Sequence, residues 1–164
     1  MEQAKAVDAM AAIPELKALH EQFVKLTAER VTAPFDAEVA KLNAGYLGGI
    51  DREIASEKKA GHLDGIIALE AEKKLIAEQH ALPAEDAAET TASVKKLRGI
   101  YRTAYAKLEA TRSTNLKTLT DPLTARLKLM EADLTKKDRV NDAKQVKAYR
   151  ETLSDGGEIG RAHV

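Results

Sequence analysis

The chain has 164 residues, with 26 Lys and Arg balanced by 26 Asp and Glu, 44% hydrophobic residues and only 4% aromatic ones. Zero formal net charge gives no general attraction for duplex nucleic acid. The absence of Cys excludes a disulfide framework and thiolate metal sites. No run of about 18 apolar residues occurs, so no segment has the length and apolarity of a membrane-spanning helix.

Ala, Glu, Lys, Leu and Arg dominate, a composition that favours long helices with narrow apolar seams over a thick globular core. Charge is divided unevenly. Residues 1–82 carry 10 basic and 14 acidic side chains and residues 83–164 carry 16 and 12, leaving −4 and +4. Such halves would attract weakly if packed together, although unequal solvated faces account for the same numbers. The opening Met1-Glu2-Gln3-Ala4 fits a natural start or a start placed after a removed signal segment.

Residues 1–13 form an Ala-rich, weakly patterned N-terminal segment. Ile13-Pro14 marks a helix start, because Pro at the first helical position sacrifices no hydrogen bond. One long helix is expected from there to about Ala60. Its apolar residues recur every eleven positions: Val31 and Leu42, then Val24, Phe35 and Tyr46, then Ala28, Val39 and Ile50. Eleven residues make three turns at 3.67 per turn, so the stripes merge into one face of a nearly straight helix. Pro34 removes a backbone bond within this stretch. Because the apolar phase passes through it unshifted, a kinked continuous helix is expected rather than a loop. Gly45, Gly48 and Gly49 weaken the helix and are expected to admit a neighbouring helix closely, or else to form a hinge.

Lys58-Lys59-Ala60-Gly61 ends the first helix, with basic residues at the negative end of the dipole and Gly61 suited to a left-handed cap. Asp64 reads as the N-cap of a return helix of about 15 residues, with Ile66, Leu69 and Ile76 near one face. The short turn implies an antiparallel hairpin. His80 to Ala84, with Pro83, reads as the linker, and Asp86-Ala87-Ala88-Glu89 resembles a capping box.

A second long helix is expected from there to about Lys137, with Pro122 inside. Its stripes are the most regular in the chain: Leu97, Leu108, Leu119 and Met130; Tyr101, Arg112, Leu123 and Leu134; Val94, Tyr105, Leu116 and Leu127. Lys136-Lys137-Asp138 ends it. Asn141 reads as the cap of a second short helix carrying Ala143, Val146, Tyr149 and Leu153. From Asp155-Gly156-Gly157 onward the chain is polar and uncapped, and residues 154–164 read as a flexible tail.

The halves match at an offset of 77, which is seven elevens and so preserves helical phase. Val31 matches Leu108, Val39 matches Leu116, Leu42 matches Leu119, Tyr46 matches Leu123 and Ile50 matches Leu127. Leu63 then matches Val140, Leu69 matches Val146, and Asp64 matches Asn141. The expected fold is therefore all-α: a tandem long-helix/short-helix repeat of about 77 residues, with units 14–80 and 86–153 in one domain, 14–153. Each short helix covers only the last third of its long helix. The first halves of the two long helices are expected to pair antiparallel, giving an elongated coiled coil with a hairpin at each end; a compact four-helix bundle is the alternative.

Two stretches carry a resemblance: Glu57-Lys58-Lys59-Ala60-Gly61-His62-Leu63-Asp64-Gly65 and Leu134-Thr135-Lys136-Lys137-Asp138-Arg139-Val140-Asn141-Asp142-Ala143. A long amphipathic helix, a basic stretch, a tight turn and a short helix, twice over, is similar to the helical coiled-coil segments of exported planctomycete and verrucomicrobial proteins. Over about residues 14–153, the resemblance implies a non-enzymatic spacer or interaction segment, exported to the periplasm or cell surface, and supplies no catalytic residues. Asp138 stands where the first copy has Gly61, so the second turn is expected to differ.

No catalytic constellation stands out. His20, His62, His80 and His163 have no Glu three residues before them and no i,i+4 His partner, so helical di-iron and zinc signatures are absent. His20, at the position matching Leu97, reads as a core or boundary histidine. Ser56, Ser93, Ser113 and Ser154 lack a nucleophile elbow. Gly48-Gly49 and Gly156-Gly157 form no phosphate loop. Glu53 and Glu57 share a helix face at seam positions, where paired carboxylates can do acid–base work or hold a cation, or simply face solvent and basic neighbours. Arg112 interrupts a stripe of Tyr101, Leu123 and Leu134. Either it fixes helix register by meeting a carboxylate across the seam, or its stem packs while its head reaches water.

No catalytic residue, cofactor or metal is therefore expected, and aromatic residues are too few to stack nucleic-acid bases. The expected function is a non-enzymatic structural spacer or protein-interaction module, with a protein partner or self-association. An amphipathic lipid-surface helix is the alternative, because eleven-residue repeats also occur in helices lying on membranes.

Overall fold

The structure, a computed structural model, describes Met10 and residues 12–154. The Ala-rich N-terminal stretch up to residue 9 and the tail from 155 lie outside the described residues. Every regular element among the described residues is helical, with no strand. In chain order they form α1 (Pro14–Thr27), a π-turn (Ala28–Thr32), α2 (Ala33–Ala60), α3 (Leu63–Gln79), α4 (Ala92–Lys136) and α5 (Val140–Ser154).

The chain divides into two compact units. One takes the described residues up to Thr32 with those from Ser113 onward, and the other takes Ala33–Arg112. The core of Ala33–Arg112 joins Tyr46 and Ile50 of α2, Leu69 and Ile76 of α3, and Val94 and Tyr101 of α4. The other core joins Ile13, Leu16 and Phe23 to Leu123, Leu127 and Leu134 of α4, and to Ala143, Val146, Tyr149 and Leu153 of α5. Ile50, Leu69, Ile76, Leu127 and Val146 are fully buried, each contributing roughly 1.5–3 kcal/mol by removal from water.

Pro14 opens α1 as expected, preceded by buried Ile13, which offers no side-chain cap. Helical structure continues past Pro34, but the phase does not pass through unshifted. The π-turn immediately before Pro34 holds one extra residue. Proline cannot donate to the carbonyl four residues back and its ring crowds it, and the wider turn relieves both problems. The slip moves burial from Val24 to Phe23: Val24 is 47% exposed and Phe23 only 6%. At Pro122, by contrast, α4 stays α-helical.

The glycines of α2 are not held by close helix approach. A Cβ at Gly45 would meet nothing within 4 Å, and one at Gly49 would lie at an ordinary 3.6 Å from Leu97 Cδ2.

Gly61 takes the expected left-handed conformation, φ 73°. Its N–H donates to the Lys58 carbonyl, and that of His62 donates to the Glu57 carbonyl at 3.0 Å, closing a Schellman turn. Asp138 does not make the second turn different. It sits at φ 61°, its N–H donates to Thr135, and that of Arg139 donates to Leu134 at 2.8 Å.

The expected caps move. His62, not Asp64, stands at the N-cap of α3, and Asp64 falls in the first turn, where its charge suits the helix dipole. Asn141 lies inside α5 rather than capping it. The linker is longer than expected, because residues 80–91 are all non-helical. Thr91 caps α4, its Oγ1 accepting the Val94 N–H at 3.4 Å. The Asp86–Glu89 stretch caps nothing, and Asp86 turns instead toward two arginines.

Candidate functional site

A polar network crosses the core of Ala33–Arg112. Glu72, from the middle of the buried face of α3, is 3% exposed, and Arg98 of α4 is 8% exposed. Arg98 donates through Nε to Glu72 Oε1 at 2.9 Å and through Nη2 to Oε2 at 2.6 Å, a two-pronged charge-assisted pair. The Tyr46 hydroxyl of α2 donates to Oε1 at 2.6 Å. Burial, then the bond to Glu72, pushes the Tyr46 hydroxyl well above its ordinary pKa. The same carboxylate holds the Arg98 guanidinium above its ordinary value.

The network extends into the 80–91 connection. Asp86 Oδ1 accepts from Arg98 Nη1 at 3.1 Å and pairs with Arg102 Nη1 at 2.9 Å. Arg102, then Arg98, hold its carboxyl below the ordinary value. Arg102 Nη2 also donates to the Pro83 carbonyl at 2.9 Å. Asn43 Nδ2 donates to the His80 carbonyl at 3.4 Å while Asn43 Oδ1 accepts from the Tyr101 hydroxyl at 2.7 Å. Three helices and their connection are thus tied by groups already bonded to one another. Glu72 accepts three protein hydrogen bonds, so it has little capacity left for a substrate proton.

Arg112 differs from the expectation of a carboxylate across the seam. The carboxylate it meets, Glu109 at 2.9 Å, lies three residues earlier on its own helix. Across the helix pair it meets Phe35, with Cζ 4.3 Å from the ring centroid, a cation–π contact. Phe35 packs edge-on to Tyr105, and Tyr105 stacks on Tyr101. A guanidinium next to an aromatic ring satisfies both its stem and its charge, which explains an Arg in an apolar stripe.

Glu53 and Glu57 share no bonding partner among the described residues. Glu57 accepts a bond from His62 Nδ1 at 3.0 Å, and its carboxylate lies where a side chain at Gly65 would sit. Glu53 is half-buried and enters no ion pair among the described residues. No group of three His, Asp or Glu side chains placed to hold a metal occurs among the described residues.

In the other unit, His20 Nδ1 shares a 2.9 Å hydrogen bond with the Tyr149 hydroxyl, the rings meeting edge to face. Burial lowers the His20 pKa and pushes the Tyr149 hydroxyl up to about 12. Arg150 forks onto Glu131 at 2.6 and 3.1 Å.

The same unit carries an open groove of about 560 Å³ between α1 and α4. Ala18, Leu19, Leu129 and Met130 supply its apolar surface, with Glu15, Gln22, Arg126 and Asp133 around it. Leu129 is 73% exposed. Comparison with protein families, curated proteins and solved structures finds no match to this chain.

Sequence patterning missed Glu72 and Arg98 although the signal was present. Glu72 falls three residues after Leu69 and four before Ile76, and Arg98 four after Val94 and three before Tyr101. A charged residue at the centre of each apolar stripe calls for an opposite charge on a facing helix.

Proposed function

We propose that this chain is a non-enzymatic helical module that acts as a structural spacer or docks a protein partner, with a tandem long-helix/short-helix repeat as its plan. One observation carries the functional reading. The buried ionisable groups are spent on bonds between helices, Glu72 with Arg98 and Tyr46 above all, whereas large apolar side chains such as Leu63, Ile67, Ile100 and Leu129 remain exposed. Buried ionisable groups bonded to one another inside, with apolar groups outside, suit a scaffold that presents surfaces better than a site that transforms a substrate.

The repeat plan draws support from the two left-handed turn residues, Gly61 and Asp138, which lie one 77-residue period apart and carry the same backbone bonds. Matched positions also share burial: Tyr46 with Leu123, Ile50 with Leu127, and Leu69 with Val146.

The test is circular dichroism and flotation with anionic vesicles. Full helicity without lipid and no flotation is the expected result. A large gain of helicity on vesicles, with the protein floating, would replace the scaffold reading by the lipid-surface one.

A further inference from the structure

We propose that the α1/α4 groove is a self-association surface whose occupant is the same groove of a second copy, packed about a two-fold axis. The proposal names the partner for the protein-docking role and rests on that reading.

The groove combines apolar lining with charges of opposite sign on one helix. Arg126 and Asp133 of α4 are seven residues apart, about 10 Å along the axis. Their midpoint falls between Leu129 and Met130, two of the apolar residues that line the groove. A two-fold axis through that midpoint runs the two copies of α4 antiparallel. Leu129 and Met130 of each copy then face one another. Arg126 of either copy faces Asp133 of the other, so one self-complementary patch makes two identical ion pairs.

The charges are free to do so. Arg126 enters no ion pair among the described residues, and Asp133 meets only Lys137 in a solvent-exposed pair at 2.9 Å. On α1, Glu15 and Gln22 flank Ala18 and Leu19 at the same spacing, and the small Ala18 lets a second backbone come near. Zero net charge removes the overall repulsion that would oppose pairing of like chains. Leu129, 73% exposed in the single chain, gains its cover. A patch this small gives a weak, concentration-dependent dimer rather than an obligate one.

The experiment is sedimentation equilibrium of the 164-residue chain from about 5 to about 500 µM. A monomer–dimer equilibrium is expected. Leu129→Glu, with helicity unchanged, abolishes it, while Ile100→Glu, an exposed apolar position in the other unit, leaves it intact. Arg126→Asp and Asp133→Arg each place two like-charge contacts in the dimer and weaken it by at least about tenfold. Mixing the two variants in equal amounts restores wild-type affinity, because the heterodimer regains one native and one reversed ion pair. Monomer throughout the range, a dimer indifferent to Leu129→Glu, or a mixture no tighter than its components overturns the proposal. Any of these leaves the scaffold reading standing, since that reading fails only on vesicle binding with a gain of helicity.

Discussion

Removing the Glu72 carboxylate is expected to cost the chain more than any surface substitution can. Glu72→Leu keeps the bulk but deletes the acceptor of three hydrogen bonds. The Tyr46 hydroxyl and Arg98 Nε and Nη2 are left in a site from which water is nearly excluded. An abandoned buried neutral donor costs about 1–3 kcal/mol and a charged one more. Asp86 still holds Nη1 of Arg98, so the guanidinium is not wholly stranded. Breaking one side of a buried pair costs about 3–5 kcal/mol, and the single variant should fall in that range.

The triple variant Tyr46→Phe, Glu72→Leu, Arg98→Met removes Glu72 together with both of its partners, leaves Asp86 paired with Arg102, and should return to within about 1 kcal/mol of the parent. Urea denaturation followed by far-ultraviolet circular dichroism reads both, provided the slope with denaturant is unchanged. A loss below about 1 kcal/mol for Glu72→Leu would mean that Arg98 reaches water in its absence, and the network would then not be a buried one. A triple variant as unstable as the single one would place the cost in packing rather than in stranded charge.

Thr27 Oγ1 is buried without a hydrogen-bond partner among the described residues. Thr27→Val should therefore raise stability by about 1 kcal/mol, a melting shift of about 2–4 °C; an unchanged melting point would show that the hydroxyl is satisfied in solution. Asp138→Gly should stabilise the second turn by about 0.5–1 kcal/mol while Gly61→Ala destabilises the first by about 1 kcal/mol; equal signs in urea titrations would contradict the left-handed geometry. Gly45→Ala should add about 0.5–1 kcal/mol by helix propensity, since its Cβ meets nothing, and any loss would reveal a neighbour there. His20, its pKa lowered by burial from 6.5, favours the neutral form when folded. Its contribution is complete above pH 6.5 and fades as the pH falls toward the depressed folded value, so His20→Gln should flatten the urea midpoint between about pH 7 and about pH 5.5, and an unaltered slope would exclude His20 as the source.

What could be read from the sequence was what helical period alone determines. Ala143, Val146, Tyr149 and Leu153 mark the buried face of α5 at spacings of three and four, and all four are buried. Pro14 and Gly61 mark ends because their backbones permit little else. Other features failed for identifiable reasons. Projecting Val24 onto the face assumes a constant number of residues per turn, and the π-turn before Pro34 breaks that count. Leu97, Leu108, Leu119 and Met130, the most regular stripe, turn out only partly buried, whereas Val94, Tyr101, Leu127 and Leu134 hold the centre. Eleven-residue spacing establishes which residues share a face but not which line of that face points inward. Arg112 stands out in the sequence because it interrupts a regular stripe; Glu72 and Arg98 do not, because counting apolar residues steps over charged ones.

Buried polar groups also oppose the sliding of one helix along another in cores this thin. A seam of Leu, Val and Ala packs nearly as well after sliding by a turn, so apolar burial alone discriminates poorly between alignments. A buried Glu that must meet one Arg does not tolerate the slide. In Ala33–Arg112 the short helix contributes Glu72 and the long helix answers with Arg98. In the other unit the position 77 residues later, Tyr149, is again polar and buried, and it is answered by His20. The chemistry differs while the placement is the same: one polar group at the middle of each short helix, bonded to a helix distant in sequence. A wrong alignment in the first unit strands a charge, and in the second it strands only neutral groups, so register should be more strictly enforced by Glu72 than by Tyr149.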